Sequence, residues 1–538
     1  MRALPRRSDA AATRAVAGRS DVQACVVAGL AGLIWLVAGS RTPDLAAQSY
    51  RVGLFKREGF AIWDNNWYAG HHLPAYSLVF PPLGGLVGMR LVGVGAAVLA
   101  AFCFARLAES HFGPRARIGI LWFAVASVAD LAIGRLTYAL AAAIGLAAVY
   151  AASRRRVGLT VVLAALCGAA APLAGLFVGM AAVAVMLGGW RDPGSRRMAL
   201  ILGIPAVGVG LLLTLAFAEG GREPFGTGPV VASLALTIGF IAVLPRRERI
   251  LRAGAGLYLL GTLASFVLVT PIGDNTTRVG ADFAGPLLAC AVLNRRGWPS
   301  RFGALTGALL VGLLGWQWFA PVREQAKGLG DPISRPSTYA GLFAYLGAHD
   351  TGPGRLEVTF TESHWEAAIL APRYPLARGW EKQLDTGDNG LFYRRSLTSA
   401  AYHAWLDDLA VRYVVVARAR LDPSSRLEAR LVLGGLPYLR AVFSDPHWRV
   451  YEVIHPAPLA SPPASVTALG GQSFVVRFSR PGTTLVRVRF TPYWRARDGC
   501  VGPGAGGFTQ LSSRRAGVVR VTIAFAVGRV LDHGVRCA

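Results

Sequence analysis

Long apolar runs alternate with short arginine-bearing breaks from residue 22 to residue 321, and this pattern predicts a bundle of membrane-crossing helices. A helix needs roughly 20 predominantly apolar residues to cross the hydrocarbon layer. The runs lie near 22–39, 86–106, 118–133, 136–152, 157–171, 173–188, 198–218, 228–244, 251–270, 280–293 and 302–321, eleven in all. Two pairs are short: 157–188 divides at Pro172, and 118–152 turns tightly at Gly134-Arg135. Each pair crosses twice or not at all, so the side reached at residue 322 is the same either way.

Beyond residue 321 the pattern changes. A helical stretch at 396–410 precedes the apolar run 411–416, and 448–453 alternates with period two, as a half-buried strand does. These predict a small α/β unit over 322–455. A Pro/Ala/Ser-rich linker follows at 456–466. Short alternating runs at 473–478, 484–490 and 518–525, divided by Gly and Pro, predict a β-sandwich-like unit over 467–538.

The breaks carry a signal of their own. Arginines cluster at 1–21 (Arg2, Arg6, Arg7, Arg14, Arg19), 106–117, 153–156, 191–197, 245–252 and 294–301 (Arg295, Arg296, Arg301), in every second connection. Cytoplasmic loops are enriched in Lys and Arg. The basic segment 1–21 is therefore expected inside, and the loop 40–75 and everything after 321 outside. Residues 1–39 read as a retained signal anchor; a cleaved signal with a small-residue site at Leu45-Ala46-Ala47 is the alternative.

A 53% hydrophobic content with 16% charged residues excludes an ordinary soluble globule. The net charge of +26 would suggest nucleic acid in a soluble protein. Here it is assigned to inner loops against anionic headgroups, because no basic-aromatic or recognition-helix pattern accompanies it. Of the 30 acidic residues, 17 follow residue 321, which marks a domain boundary there. Cys25, Cys103, Cys167 and Cys290 fall in apolar runs as packing residues, whereas Cys500 and Cys537 lie in the outer region. An oxidising compartment permits a disulfide between those two; a pair of free thiols is the alternative.

Candidate chemistry concentrates in the first outer loop, which holds Asp44, Glu58 and Trp63-Asp64-Asn65-Asn66-Trp67-Tyr68-Ala69-Gly70-His71-His72. Carboxylates and imidazoles at a membrane surface suit a general base for sugar hydroxyls. Asp44 and Asp64 are the candidate catalytic groups, with Glu58, Trp67, Tyr68, His71 and His72 as substrate-binding candidates. The aromatics either stack on sugars or serve as interfacial anchors. Adjacent His71 and His72 point to opposite faces of a strand, so a shared metal is disfavoured. Other outer turns add Asp130, Arg135, Asp274, Arg278 and Asp282. Arg135, Asp274 and Arg278 are further substrate-binding candidates, since guanidinium matches phosphate in bidentate geometry. No GxSxG elbow, Walker loop or GxGxxG after a strand is present.

The signal anchor is followed by an acidic outer loop, then by Trp67-Tyr68-Ala69-Gly70-His71-His72 and Tyr76-Ser77-Leu78-Val79-Phe80-Pro81-Pro82. Next come Gly134-Arg135-Leu136-Thr137-Tyr138-Ala139-Leu140 and Ala171-Pro172-Leu173-Ala174-Gly175-Leu176-Phe177, and finally the outer tail domain. This order resembles the polytopic glycosyltransferases of the GT-C superfamily, in an actinobacterial branch. The tail phrases Arg378-Gly379-Trp380-Glu381 and Leu391-Phe392-Tyr393 resemble the same branch. The resemblance implies transfer of a sugar from a polyprenyl-phosphate donor to a cell-envelope acceptor outside the cytoplasm. It also implies a catalytic acid in the first outer loop, at Asp44 or Asp64, and leaves open a divalent metal ion. Asp64 is followed by Asn65-Asn66 where many members carry a second acid. The alternatives are a non-catalytic transporter or flippase of lipid-linked sugars, and a scaffold for envelope glycans.

Overall fold

Alanine and glycine line the inner faces of the helices that dominate the first part of the chain, while their large aliphatic residues face outward. That inversion suits a lipid solvent, where close backbone approach rather than burial of Leu and Val holds helices together. The protein is described from a computed structural model covering residues 7–293, 300–349 and 352–537. Arg2, Arg6, Arg295 and Arg296 of the arginine clusters lie outside the described residues.

The first eight helices in chain order are α1 (Arg7–Ala38), α2 (Pro43–Glu58), α3 (Phe80–Leu83), α4 (Met89–Phe112), α5 (Arg117–Ala126), α6 (Ala129–Ile133), α7 (Leu136–Ser153) and α8 (Val157–Ala170). Then come α9 (Pro172–Gly188), α10 (Pro193–Ala216), α11 (Thr227–Val243), α12 (Arg249–Val267), α13 (Thr277–Val292) and α14 (Ser300–Gly328). Ala141, Ala148, Ala164, Ala170, Ala174, Ala182 and Ala206 make a buried seam among α7–α10. Leu211, Leu212 and Ile204 of α10 stand 55%, 67% and 65% exposed, on a lipid-facing surface.

Among the described residues, six helical stretches are long and apolar enough to cross a membrane: Ser20–Ala38, Phe80–Phe112, Leu136–Ser153, Pro193–Ala216, Arg249–Val267 and Gly303–Gly328. Three apolar helices are shorter: α8, α9 and α11. The protein is thus a multi-pass membrane protein. The run 118–133, expected as one span, is broken. Helix α5 stops at Ala126, and Ser127 turns its hydroxyl back onto the Ala124 carbonyl at 2.8 Å. The short α6 then carries Asp130. The expected span 280–293 is the 16-residue α13, with Pro286 inside it.

The chain divides into two compact units. One comprises the residues up to Gln48 with Ala75–Thr214 and Arg222–Ala326; the other comprises Ser49–Pro74, Leu215–Gly221 and Lys327–Ala538. Most of the first outer loop therefore belongs with the tail. In the second unit β1 (Trp63–Asp64) and β2 (His71–His72) form a hairpin, with Trp63 opposite His72. A four-stranded sheet follows, with β3 (Arg355–Val358), β4 (Val411–Ala417), β5 (Leu439–Ser444) and β6 (Trp448–Val453) in the order β3-β4-β6-β5. Only its β3–β4 pair is parallel.

The remaining strands are β7 (Ala464–Gly470), β8 (Ser473–Phe478), β9 (Gly482–Arg489), β10 (Trp494–Arg497), β11 (Cys500–Pro503), β12 (Phe508–Ser513), β13 (Gly517–Ile523) and β14 (Arg536–Cys537). They make two sheets, β10-β13-β8-β7 and β14-β11-β12-β9. Alternate residues Phe474, Val476, Phe478, Val486, Val488, Val519 and Val521 fill the space between them. Cys500 and Cys537 are disulfide-bonded and pin β14 to β11.

Candidate functional site

In the first unit, ionisable groups from four helices converge at one place. Asp44 lies in the first turn of α2, where a carboxylate complements the helix N-terminus. Its Oδ2 takes a charged hydrogen bond from Arg135 Nε at 3.1 Å, with the two side chains 35% and 25% exposed. Arg135 sits between α6 and α7, and its backbone N–H is tied to the Asp130 carbonyl at 2.8 Å. Arg278, at the start of α13, donates to Asn275 Oδ1 and lies over the Tyr138 ring, 5.2 Å from its centroid. Tyr138 and Asp282, one turn along α13 from Arg278, also act on one another electrostatically. Asp44, Asp130, Arg135 and Arg278 all sense one another's charge, and Asp274 acts on Arg135.

Local chemistry explains the convergence. Gly134 caps α6 in the left-handed region at φ 98°. A Cβ there would stand 2.5 Å from the Leu45 nitrogen and 2.8 Å from Thr42 Oγ1. Only glycine lets α2 come this close to the α6–α7 turn. Beside it, Gln48 accepts from Thr137 Oγ1 and donates to Tyr76 at 2.6 Å, a second tie between α2 and α7. Gly134→Ala is expected to part Asp44 from Arg135 and cost about 1–3 kcal/mol for the forced φ. Thermal unfolding of the purified protein checks this, and an unchanged midpoint would show that the approach is not tight.

Within this cluster, Arg278 Nε is buried and has no hydrogen-bond partner. Close in sequence, Ile272 and Thr276 line a cavity of about 670 Å³ between α9, α10 and α12. Most of its other lining residues are apolar, among them Leu176, Met180, Ile204, Val207 and Leu257. An apolar chain with an anionic end matches these two features.

The second unit holds the remaining residues expected in the first-loop site, and it uses all of them but Glu58 as core. Asp64 is fully buried; it accepts from Tyr50 Oη at 2.6 Å and from the Asn66 N–H at 3.0 Å. Burial pushes its pKa up to about 6, against the Tyr50 bond that favours the carboxylate. Trp67 is 0% exposed, stacked on Tyr50 at 4.1 Å, and donates to the Ala367 carbonyl. Tyr68 is buried and donates to the Gly379 carbonyl at 2.6 Å. His71 stacks on Trp67 and makes no ring hydrogen bond; burial, then the Arg51 charge, pushes its pKa down to about 3, so it stays neutral. His72 is buried between Glu219 and Thr491. None of Asp64, Trp67, Tyr68, His71 or His72 presents a free face to a sugar, nor are the aromatics interfacial anchors. Glu58 is exposed at the end of α2, near Gln472.

The Tyr50–Asp64 bond supports a stability prediction. Tyr50→Phe is expected to cost about 1–3 kcal/mol, because it leaves a buried carboxylate short of a donor. Asp64's raised pKa stabilises the fold below its ordinary 3.8, and that contribution fades as pH rises through about 6. The variant's deficit should therefore be larger at pH 8 than at pH 5. Equal midpoint shifts at both values would remove Asp64 as the cause.

The sequence pointed to Asp44, Arg135, Asp274 and Arg278 one by one. It missed Gln48, Gly134, Thr137 and Tyr138 as the residues that assemble them. The i,i+4 spacing from Arg278 to Asp282 was a usable signal for one shared helix face. Among the described residues no group of three or more His, Cys, Asp and Glu is arranged to hold a metal ion, and Asp44 is engaged by a cation, so the residues do not fit a metal site.

No protein-family model matches the sequence. No curated protein matches it either. Among solved structures, the crystal structure of ArnT from Cupriavidus metallidurans in the apo state aligns with 79% of this chain and 97% of its own, at 14% identity and a TM-score of 0.39.

Proposed function

We propose that this protein is a GT-C-type membrane glycosyltransferase that moves a sugar from a polyprenyl-phosphate donor to an acceptor hydroxyl in the cell envelope, on the extracytoplasmic face. The observation that carries the reading is the cluster Asp44–Arg135–Arg278, together with an apolar cavity whose lining residue Thr276 lies two positions before Arg278 in the chain. Asp44, with its side chain 35% exposed, is able to reach an acceptor. Its carboxylate takes the proton of the acceptor hydroxyl as that oxygen bonds to the anomeric carbon. The bond from the anomeric carbon to the phosphate oxygen breaks, and the electron pair leaves with the polyprenyl phosphate. Attack from the face opposite the phosphate inverts the anomeric centre.

Arg278 and Arg135 meet the charge that develops on the leaving phosphate. Preorganised charge of this kind is usually the largest catalytic contribution. The free Nε of Arg278 supplies a donor without breaking an existing bond. The test is incubation of the purified full-length protein in nanodiscs with radiolabelled polyprenyl-phosphate sugars and envelope glycan fractions. Label recovered in the glycan supports the reading. Label that only changes leaflet supports a flippase, and no binding or movement of any donor overturns both.

A further inference from the structure

Residues 524–537 form a stapled loop that exposes apolar side chains. Phe525, Val527, Leu531 and Val535 are 50%, 77%, 94% and 68% exposed. A loose tail would explain such exposure, but this segment is built. Arg529 donates to the Pro492 carbonyl at 3.1 Å, to Asp532 at 2.6 Å and to the Gly534 carbonyl at 2.7 Å. The Cys500–Cys537 disulfide closes the far end. The side chains that the loop could turn inward are therefore held outward.

The position of the loop indicates what covers it. Phe525 stacks on Phe217 at 5.6 Å and packs on Tyr493 at 5.1 Å. Tyr493 donates its hydroxyl to the Ala216 carbonyl. Ala216 is the last residue of α10, an apolar membrane-crossing helix, and Phe217 follows it. The loop is thus fastened to the residues that end and follow an apolar helix of membrane-crossing length, and Leu215 beside them is 59% exposed. Aromatic rings at that level are characteristic of the membrane–water boundary. We infer that the loop 525–535 docks into the bilayer surface as an interfacial anchor, with Val527, Leu531 and Val535 entering the acyl boundary. This goes beyond the transferase reading and does not depend on it.

Photolabelling tests the inference in the intact protein. The full chain is placed in nanodiscs of phosphatidylglycerol and phosphatidylcholine carrying a diazirine near the glycerol end of one acyl chain. After irradiation, reduction and trypsin digestion, peptides 521–529 and 530–536 carry the loop. Peptide 516–520 holds Val518, 49% exposed on the sandwich, and serves as internal control. Lipid adducts on 530–536 at ten or more times the control level are expected, falling to the control level in Leu531→Asp. Adducts no more frequent than on 516–520 in the wild-type protein overturn the proposal. So does a loop free of lipid in nanodiscs that crosslinks to another protein in whole cells, because its cover would then be a protein partner. The wild-type measurement decides even if the variant fails to fold.

Discussion

Asp44→Asn is expected to lower transfer from a polyprenyl-phosphate sugar by about 10²–10⁴-fold, the range for removing a positioned general base. The loss should fall on kcat, with the donor KM little changed, because Asp44 meets the acceptor proton and not the lipid. Its pairing with Arg135 is partly exposed, so the fold should lose only about 0–1 kcal/mol. Arg278→Met is the complementary variant: it removes charge from the leaving phosphate and should raise the donor KM as well as lower kcat. Rates at saturating and limiting donor separate the two. A demonstrated transferase activity that survives Asp44→Asn within a factor of ten would sink the assignment of Asp44.

The contrast between Asp44 and Asp64 shows what the sequence contained. Both are acids in one outer loop beside aromatics, and nothing local distinguishes them. What separates them is long-range. Asn65 N–H bonds the Gly471 carbonyl, and Leu376 N–H bonds the Asn66 carbonyl, so the 63–72 hairpin is built into strands laid down hundreds of residues later. Trp63 packs in the sandwich core and Ala69 in the α/β core. An aromatic-rich hairpin has the same composition at a bilayer surface as in a domain interior, so composition could not decide.

The apolar runs were legible because bilayer thickness imposes a length on them, and the period-two runs were legible as strands. The break at Ser127–Val128 was not, since neither residue is a helix terminator and the kink depends on a hydroxyl's choice of carbonyl. Arg135 and Arg278 were legible as costly charges near spans. Their meeting depended on Gly134 admitting the α2 backbone, a close approach that leaves no trace in local pattern.

The second large effect is expected at Arg378, whose guanidinium is fully buried among three carboxylates. It makes a bidentate pair with Asp385 at 3.0 and 2.7 Å and lies 3.4 Å from Glu428 and 3.6 Å from Glu357. Phe360 and Phe392 cover its two faces at 3.9 and 4.0 Å. Tyr393 and Asn389 also donate to Asp385, and Tyr402 to Glu428, whereas neither Glu357 oxygen has a hydrogen-bond donor. Arg378→Met would strand three buried acids, and removing one partner of a buried ion pair costs about 3–5 kcal/mol. For a unit of about 245 residues this corresponds to a midpoint about 6–20 °C lower.

The pH dependence has a definite sign. Burial, then the neighbouring Glu428, lifts the Glu357 pKa well above its ordinary 4.5. A raised folded pKa stabilises the fold fully below 4.5 and loses that contribution as pH rises through the raised value. Glu357→Gln keeps the neutral state at every pH. Its midpoint should therefore exceed the wild type's at pH 9, approach it at pH 5, and show a flatter slope between. The Arg378→Met deficit should likewise shrink toward low pH, where the acids it exposes are protonated. Scanning fluorimetry of the full chain in micelles from pH 5 to 9 reads both. A deficit for Arg378→Met that is largest at pH 5 would reverse the sign and refute the excess of negative charge around Arg378.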